Sequence, residues 1–204
     1  RFDTFIKTGN SQFFKSNCQV WSELIHIIVL SPLALWLGYK PIRILAPELN
    51  GLDCVSATIC IDDISQLDTA SELYSSAHTF IEKHVAPFEA NPRAIFCSSP
   101  SCFNSFGLND MRAVTVSTFG VVVGPRGWES SFLAHEFIHH LQHEKLGNLQ
   151  VWFDTPQWFM EGMAYSLSDE REVLDEPWES YRDEFEHWVK DSGTDNFWQR
   201  ARSL

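Results

Sequence analysis

The stretch 128–146 contains neither proline nor glycine, and it is the strongest helix signal in the chain. Apolar residues recur along it at helical spacing, and Gly147 follows as a natural C-terminal stop. Ser130 or Ser131 is the predicted cap at its start. Immediately upstream, the β-branched run 113–124 predicts one or two strands. Strands leading directly into a long helix restrict the chain to folds that mix both kinds of element.

The predicted helix carries His135 and His139 four positions apart, with Glu136 beside the first of them. Positions i and i+4 lie on one helix face with Cβ atoms about 5–6 Å apart, so both rings can direct a nitrogen at one ion. Neutral imidazole binds zinc at roughly 2.0–2.1 Å. Glu136 is too close in sequence to complete the same tetrahedron, but it can reach a water at the metal. This arrangement is typical of a zinc hydrolase; the alternative is an amphipathic helix whose histidines lie on its polar side.

Zinc needs a third ligand from elsewhere in the chain, and Glu161 is the best candidate. Glu161 lies in an apolar segment, 157–167, that predicts a buried second helix opened by Pro156 with Thr155 as its cap. A carboxylate in such a helix is costly unless it is paired or bound to a metal. Gly162 removes side-chain bulk where two helices would approach closely. The alternative is a glutamate paired with an arginine or lying at the helix surface.

Together, HEFIH at 135–139 and WFMEGMA at 158–164 resemble the gluzincin branch of zinc metallopeptidases, in its peptidase MA-like form. The resemblance covers 114–169, little more than a quarter of the chain. It implies a zincin-like fold and one zinc ion per chain, held by His135, His139 and Glu161. It also implies peptide-bond hydrolysis by a metal-activated water, with Glu136 as general base. The motif is specific for metal chemistry and weak for substrate.

One position departs from the thermolysin-type pattern, which has an aspartate four residues after the ligand glutamate, where this chain has Tyr165. The partner that orients a zinc histidine must therefore come from elsewhere, and Asp154 and Asp169 are the candidates. His143 continues the same helix and is predicted to miss the ion, which disfavours a metzincin. We interpret His140 and His143 as solvated or supporting residues and Tyr165 as a packing residue.

A peptide substrate of such an enzyme is expected to add as a strand along an exposed sheet edge. The segment 119–127 is the predicted edge, and an ordinary core strand is the alternative. The competing function is a catalytically inactive zincin-like module that binds metal or a protein partner. Glu136 favours the enzyme, because a structural zinc site is usually closed by four protein ligands and needs no general base.

The formal net charge of −12 argues against nucleic acid as a partner, because phosphate-binding surfaces need clustered lysine and arginine. Much of the acidity lies in the segment 169–195, where aromatic residues recur every three or four positions. This spacing predicts an amphipathic helix whose acidic side is a solvated outer face. The alternative is an acidic cleft wall that favours basic substrates. The sequence does not indicate an oligomeric state.

Two pairs of cysteines are close in sequence, Cys54 with Cys60 and Cys97 with Cys102. Each pair either closes a small disulfide loop, which indicates an oxidising compartment, or consists of free thiols. Cys18 has no evident partner.

The uncharged stretch 24–39 has aromatic residues at its end and basic residues beyond it. Its 16 residues fall short of the roughly 20 that cross a bilayer, and a signal peptide fits poorly because no cleavage site follows. We favour a membrane anchor slightly over a buried helix. An anchor would place the catalytic part in the periplasm or outside the cell; a soluble secreted protein is the alternative.

The predicted organisation is an N-terminal helical segment, 1–48, followed by a zincin-like metallopeptidase domain, 49–204. The class is α+β, with helices on one side of a small mixed sheet. Outside the motif region we expect a strand at 55–61, a helix at 68–85 and a strand at 93–96.

Overall fold

The computed structural model describes residues 31–168, 173–193 and 195–204. The chain divides into two compact units, Arg1–Ile42 and Arg43–Leu204. In the first unit, helix α1 covers Ser31–Gly38, while positions 24–30 of the candidate anchor lie outside the described residues. No helix in the described ranges is both long and apolar enough to cross a membrane. The anchor therefore stays a prediction.

The second unit mixes α-helices with short strands and 3-10 turns. The strands are β1 (Asp53–Cys54), β2 (Ile59–Ile61), β3 (Ala94–Phe96), β4 (Ala113–Val116) and β5 (Gly120–Val123). The helices are α2 (Leu67–His84), α3 (Pro100–Ser105), α4 (Ser130–Leu146), α5 (Asn148–Phe153), α6 (Gln157–Leu167), α7 (Trp178–Ser192) and α8 (Phe197–Ala201). The 3-10 segments are Lys40–Leu45, which begins in the first unit, Pro47–Asn50 and Ile64–Gln66.

The strands form one mixed sheet in the order β1-β2-β3-β5-β4. β2, β3 and β5 run parallel, and an antiparallel strand closes each side. The α+β class and the small mixed sheet are as predicted. The single strand expected at 55–61 is instead a hairpin of β1 and β2. The expected edge at 119–127 is wrong: β5 is an interior strand, buried at all four positions, and β4 is the edge.

Alternate residues along each strand point to opposite sides of the sheet. Both of these sides are buried. One face packs against α2, α4 and α6 in the main core. The other face is covered by a smaller cluster that includes Ile44, Leu52 and two phenylalanines of the α3 region. The helices are therefore not confined to one side of the sheet as expected, since α3 lies on the second face.

Both local cysteine pairs are disulfides. Cys54 and Cys60 face each other across the β1–β2 ladder. The second disulfide joins Cys97, directly after β3, to Cys102 in α3. Cys18 lies outside the described residues. The two cross-links pin short elements around the small second core, where little apolar surface is available to hold them.

The acidic segment forms the amphipathic helix α7, which packs its apolar side against α6. Phe185 is buried at the contact, while acidic residues such as Asp183 and Glu184 are exposed, as the solvated-face interpretation predicts. Gly162 lies at this helix contact. A Cβ there would overlap the carbonyl oxygen of Tyr181 and lie 2.8 Å from Cβ of Phe185. The close approach predicted for Gly162 therefore occurs against α7.

Candidate metal centre

In the second unit, helix α4 lies between the sheet and helices α2 and α6. It begins at Ser130, after Glu129, without a side-chain cap, and it ends before Gly147, which has φ 92°. Its residues are buried on several sides because it has neighbours on several sides. Among them, His135 and His139 lie on one face, and their Nε2 atoms are 3.1 Å apart.

Helix α6 brings Glu161 to the same point. Oε2 of Glu161 lies 3.6 Å from Nε2 of His135 and 3.6 Å from Nε2 of His139. Pro156 immediately precedes the helix, whereas Thr155 does not cap it and instead donates to the carbonyl oxygen of Gln150. The three predicted ligands therefore converge from two helices that are separated in sequence.

The spacing of the three donor atoms suits a small tetrahedral ion. Ligands roughly 2.0–2.1 Å from a tetrahedral zinc lie about 3.3–3.4 Å from one another, and the three edges here are 3.1, 3.6 and 3.6 Å. Two imidazoles and one carboxylate are also a usual three-ligand set for a catalytic zinc site. The residues present therefore fit a metal ion with no rearrangement of the backbone.

The electrostatics of the triangle favour a cation. Burial alone would lower the pKa of His139, but Glu161 and Glu136 outweigh it, so the pKa is raised to about 9. Burial raises the pKa of Glu161, and the hydrogen bonds and charges of His135 and His139 more than reverse this, leaving it well below its ordinary value. A positive charge at this point is thus stabilised by its surroundings.

Gln142 orients His139, and sequence reasoning missed it. Nδ1 of His139 lies 2.8 Å from Oε1 of Gln142, whose Nε2 donates to the carbonyl oxygen of Met160 at 2.9 Å. Because the amide nitrogen is committed to Met160, Oε1 must accept, and His139 carries its proton on Nδ1. In the neutral ring, which is the form that binds a metal, Nε2 is then left with its lone pair toward the triangle. Gln142 is fully buried, and its signal was a glutamine three positions after a ligand histidine.

Thr115, on the edge strand β4, holds the carboxylate of Glu136. Its hydroxyl lies 2.6 Å from Oε2 of Glu136 and 2.7 Å from the backbone carbonyl oxygen of the same residue. The single hydroxyl proton serves one of these acceptors at a time. The contact fixes Glu136 between the metal ligands and the sheet edge. A lone threonine in a β-branched run gave no recognisable signal in the sequence.

The three candidate ligands, Glu136 and Thr115 line an open cleft of about 830 Å³. The ring of Tyr165 packs edge-on against His135, with centroids 4.4 Å apart, and Trp178 of α7 packs next to Tyr165. Tyr165 therefore packs, as predicted, but it does so directly on a candidate ligand. The edge strand β4 forms the opposite wall through Ala113, Val114 and Thr115.

Two other histidines of α4, interpreted from the sequence as solvated or supporting residues, are both buried. His143 is 7% exposed, and its Nδ1 lies 3.0 Å from Oδ1 of Asn148. His140 is 2% exposed and lies 3.4 Å from the carboxylate of Glu144. Neither ring belongs to the triangle, so His143 misses the metal position as predicted. Of the proposed orienting aspartates, Asp154 is exposed and Asp169 lies outside the described residues.

Comparison of the chain with family models, with curated proteins and with solved structures found no match. The chemistry of this site therefore follows from its own residues. They form a His135, His139 and Glu161 group that could hold a metal ion, with donor atoms all within 4.8 Å of one another.

Proposed function

We propose that the protein is a zinc-dependent metallopeptidase of the zincin type, with His135, His139 and Glu161 as the metal ligands and Glu136 as the general base. One observation carries the proposal. Three donor atoms at tetrahedral spacing line one open cleft, and Glu136, whose carboxylate is not one of the donors, lines the same cleft and is held there by Thr115. A purely structural zinc site would normally be closed by a fourth protein ligand.

When bound, zinc would supply a Lewis acid and lower the pKa of a water molecule to about 7. The remaining steps belong to the chain. Glu136 accepts the proton of the attacking water and delivers it to the amine that leaves when the peptide bond breaks. Thr115 keeps the carboxylate aimed at the cleft during both transfers, and Gln142 keeps His139 in the tautomer that a metal requires.

The substrate is expected to bind as an extended strand beside β4. The outer side of this strand has no neighbour within the described sheet, and β4 lies against the cleft that contains Glu136. Backbone hydrogen bonds to β4 would align a peptide with the base whatever its sequence. This agrees with a peptide or protein substrate, and the acidic surface gives no reason to expect nucleic acid.

The two disulfides support a location in an oxidising compartment, outside the cytoplasm. We propose the periplasm or the cell exterior. Association with a membrane through residues 24–39 is part of the same proposal, with a soluble secreted form as the alternative.

Metal content is the first test. Elemental mass spectrometry of the purified protein should give about one zinc per chain, and Glu161→Ala should lose most of it. Glu72→Ala, at an exposed position on α2, removes the same side chain far from the site and should keep the metal. Absence of zinc from the wild type after reconstitution would reject the proposal, and full retention in Glu161→Ala would mean that the third ligand is another residue.

Hydrolysis is the second test. Zinc-loaded protein should cleave peptides in a quenched-fluorophore library, and Glu136→Gln should reduce the rate at least 1,000-fold (on the order of the loss of a general base and of nucleophile activation) while zinc remains bound. Glu129→Gln, exposed just before the same helix, should leave the rate unchanged. Zinc binding without cleavage of any peptide would favour the inactive metal-binding module.

A further inference from the structure

Arg112 lies where β4 begins, and it is seated on an aromatic ring inside the cleft. Its guanidinium carbon is 4.3 Å from the ring centroid of Phe132. Phe132 is four residues before Glu136 on α4, which is about one helical turn, or roughly 6 Å along the axis. The cation therefore contacts the helix face that carries Glu136, about one turn before it.

The backbone of Arg112 is held in place by the turn that follows β5. The amide of Gly124 donates to the carbonyl oxygen of Arg112 at 2.8 Å. A Cβ at Gly127 would overlap that oxygen and lie 2.8 Å from the carbonyl carbon, so only glycine permits the approach. The side chain of Arg126, the residue before Gly127, donates to the carbonyl oxygen of Asp110. Arg112 thus starts from a fixed backbone rather than from a loose surface loop.

Arg112 is the one lysine or arginine among the residues lining the cleft, as far as the described chain extends. In the same described ranges, no carboxylate lies within 4.0 Å of its guanidinium. The Phe132 ring offers the guanidinium a π face but no oxygen acceptor. The five N–H donors of the guanidinium therefore remain suitable for a carboxylate, which guanidinium binds in a two-pronged geometry.

We infer that Arg112, seated on Phe132, binds a carboxylate of the peptide substrate and selects for substrates that present a carboxylate at this position. The inference rests on the proposed peptidase function, since it assigns a subsite of the same cleft. Arg112 is three positions before Thr115, which is about 10 Å along an extended strand. The carboxylate therefore lies two or three residues from the bond that is cleaved. It is either the side chain of an acidic residue or the free C-terminal carboxylate of a short peptide.

Binding tests the inference without requiring turnover. Zinc-loaded Glu136→Gln protein is titrated with labelled peptide twins that differ by glutamate or glutamine at one position, and with twins that end in an acid or an amide. The carboxylate twin should bind about 10-fold more tightly, the lower end of the range for hydrogen bonds to charged groups. Discrimination between the internal twins would assign the group to a side chain, and discrimination between the terminal twins to the C-terminus.

The same titration on a second substitution assigns the effect to Arg112. Arg112→Met should reduce the ratio of the twins' affinities to near 1. Arg112→Lys should keep part of this ratio, because lysine retains the positive charge but lacks the two-pronged geometry of the guanidinium. Lys83→Met, which removes a charge at an exposed position on α2, should keep the full ratio. Equal binding of all twins, no measurable binding, or an unchanged ratio in Arg112→Met would overturn the inference.

The outcomes separate this inference from the proposed function. Wild-type protein that hydrolyses glutamate and glutamine twins equally well, with no preference at the C-terminus, retains the peptidase function and loses the carboxylate subsite. Protein that binds the carboxylate twins through Arg112 but hydrolyses none of them retains the subsite and loses the peptidase function.

Discussion

The hydroxyl of Thr115 lies 2.6 Å from the carboxylate of Glu136, and this contact joins the edge of the sheet to the helix that carries two of the three candidate metal ligands. The strand expected to align a substrate thus also orients the base expected to act on it. One hydrogen bond therefore fixes the position of the base Glu136 relative to the strand expected to bind the substrate.

Replacing Thr115 with valine should lower kcat for peptide hydrolysis about 10-fold, because a hydrogen bond to a charged group is lost and the carboxylate is no longer held. Thr115→Ser should restore most of the rate, since the hydroxyl alone makes the contact. Zinc content, measured alongside, should stay at the wild-type level in both variants. An equally slow serine variant would show that the methyl group, and not the hydroxyl, is what matters.

Gln142→Leu should weaken zinc binding 10- to 100-fold, the usual cost of removing a residue that orients a metal-binding histidine. The substitution leaves Nδ1 of His139 and the carbonyl oxygen of Met160 without their partner. Competition with a chromogenic zinc chelator measures the affinity. Gln199→Leu, at an exposed position on α8, is the matched control. Wild-type affinity in a folded Gln142→Leu protein would remove Gln142 from the site.

Gly162→Ala should destabilise the protein by about 1–3 kcal/mol, the typical cost of overpacking. Alanine normally favours a helix over glycine by about 1 kcal/mol, but the added methyl would overlap the carbonyl oxygen of Tyr181 and force α6 and α7 apart. Urea unfolding gives the free-energy difference. At Gly38, where a Cβ meets no atom within 4 Å, the same substitution should not destabilise. A stabilised Gly162→Ala protein would contradict the packing described for this contact.

Stability should fall as the pH drops below about 6.5, in part through His143. Burial lowers the pKa of His143 to about 4, against the opposing hydrogen bond with Asn148. The unfolded chain binds a proton near the ordinary histidine value of about 6.5, whereas the native state does so only near 4. The free energy contributed by the neutral native ring is therefore present above pH 6.5 and decreases between pH 6.5 and 4.

Urea unfolding of metal-free protein at pH 7, 6 and 5 measures this dependence. His143→Gln keeps a hydrogen-bonding side chain next to Asn148. It should reduce the slope of the unfolding free energy against pH by up to the amount that corresponds to one bound proton. His84→Gln, exposed at the end of α2, is the matched replacement of a second histidine. Identical slopes in the two variants would exclude His143 as a contributor.

The sequence predicted the parts of the site that depend on local geometry. His135 and His139 meet because a helix places positions i and i+4 together, and Glu161 was identified because a carboxylate in an apolar helix requires a partner. Gly147 and Pro156 marked helix boundaries by their backbone properties alone. For these residues, the few neighbouring positions in the sequence determine the local structure.

The remaining features depend on contacts that are distant in sequence. β5 became an interior strand because it pairs with β3, more than 20 residues upstream, and this left β4 at the edge. The sequence left open whether His140 and His143 are solvated or supporting residues, and they are buried because α4 has neighbours on several sides. The spacing of Gln142 from His139 is visible in the sequence, but its orienting role follows from the carbonyl oxygen of Met160 opposite it.

The two edges of the described sheet are unequal. β1 offers two residues and is cross-linked to β2, whereas β4 offers four residues to an incoming chain. A polypeptide that extends this sheet is thereby directed to one side, and that side is the one carrying Thr115 and Glu136. Strand addition, which in many proteins leads to aggregation, would here place the added polypeptide beside the residues proposed to hydrolyse it.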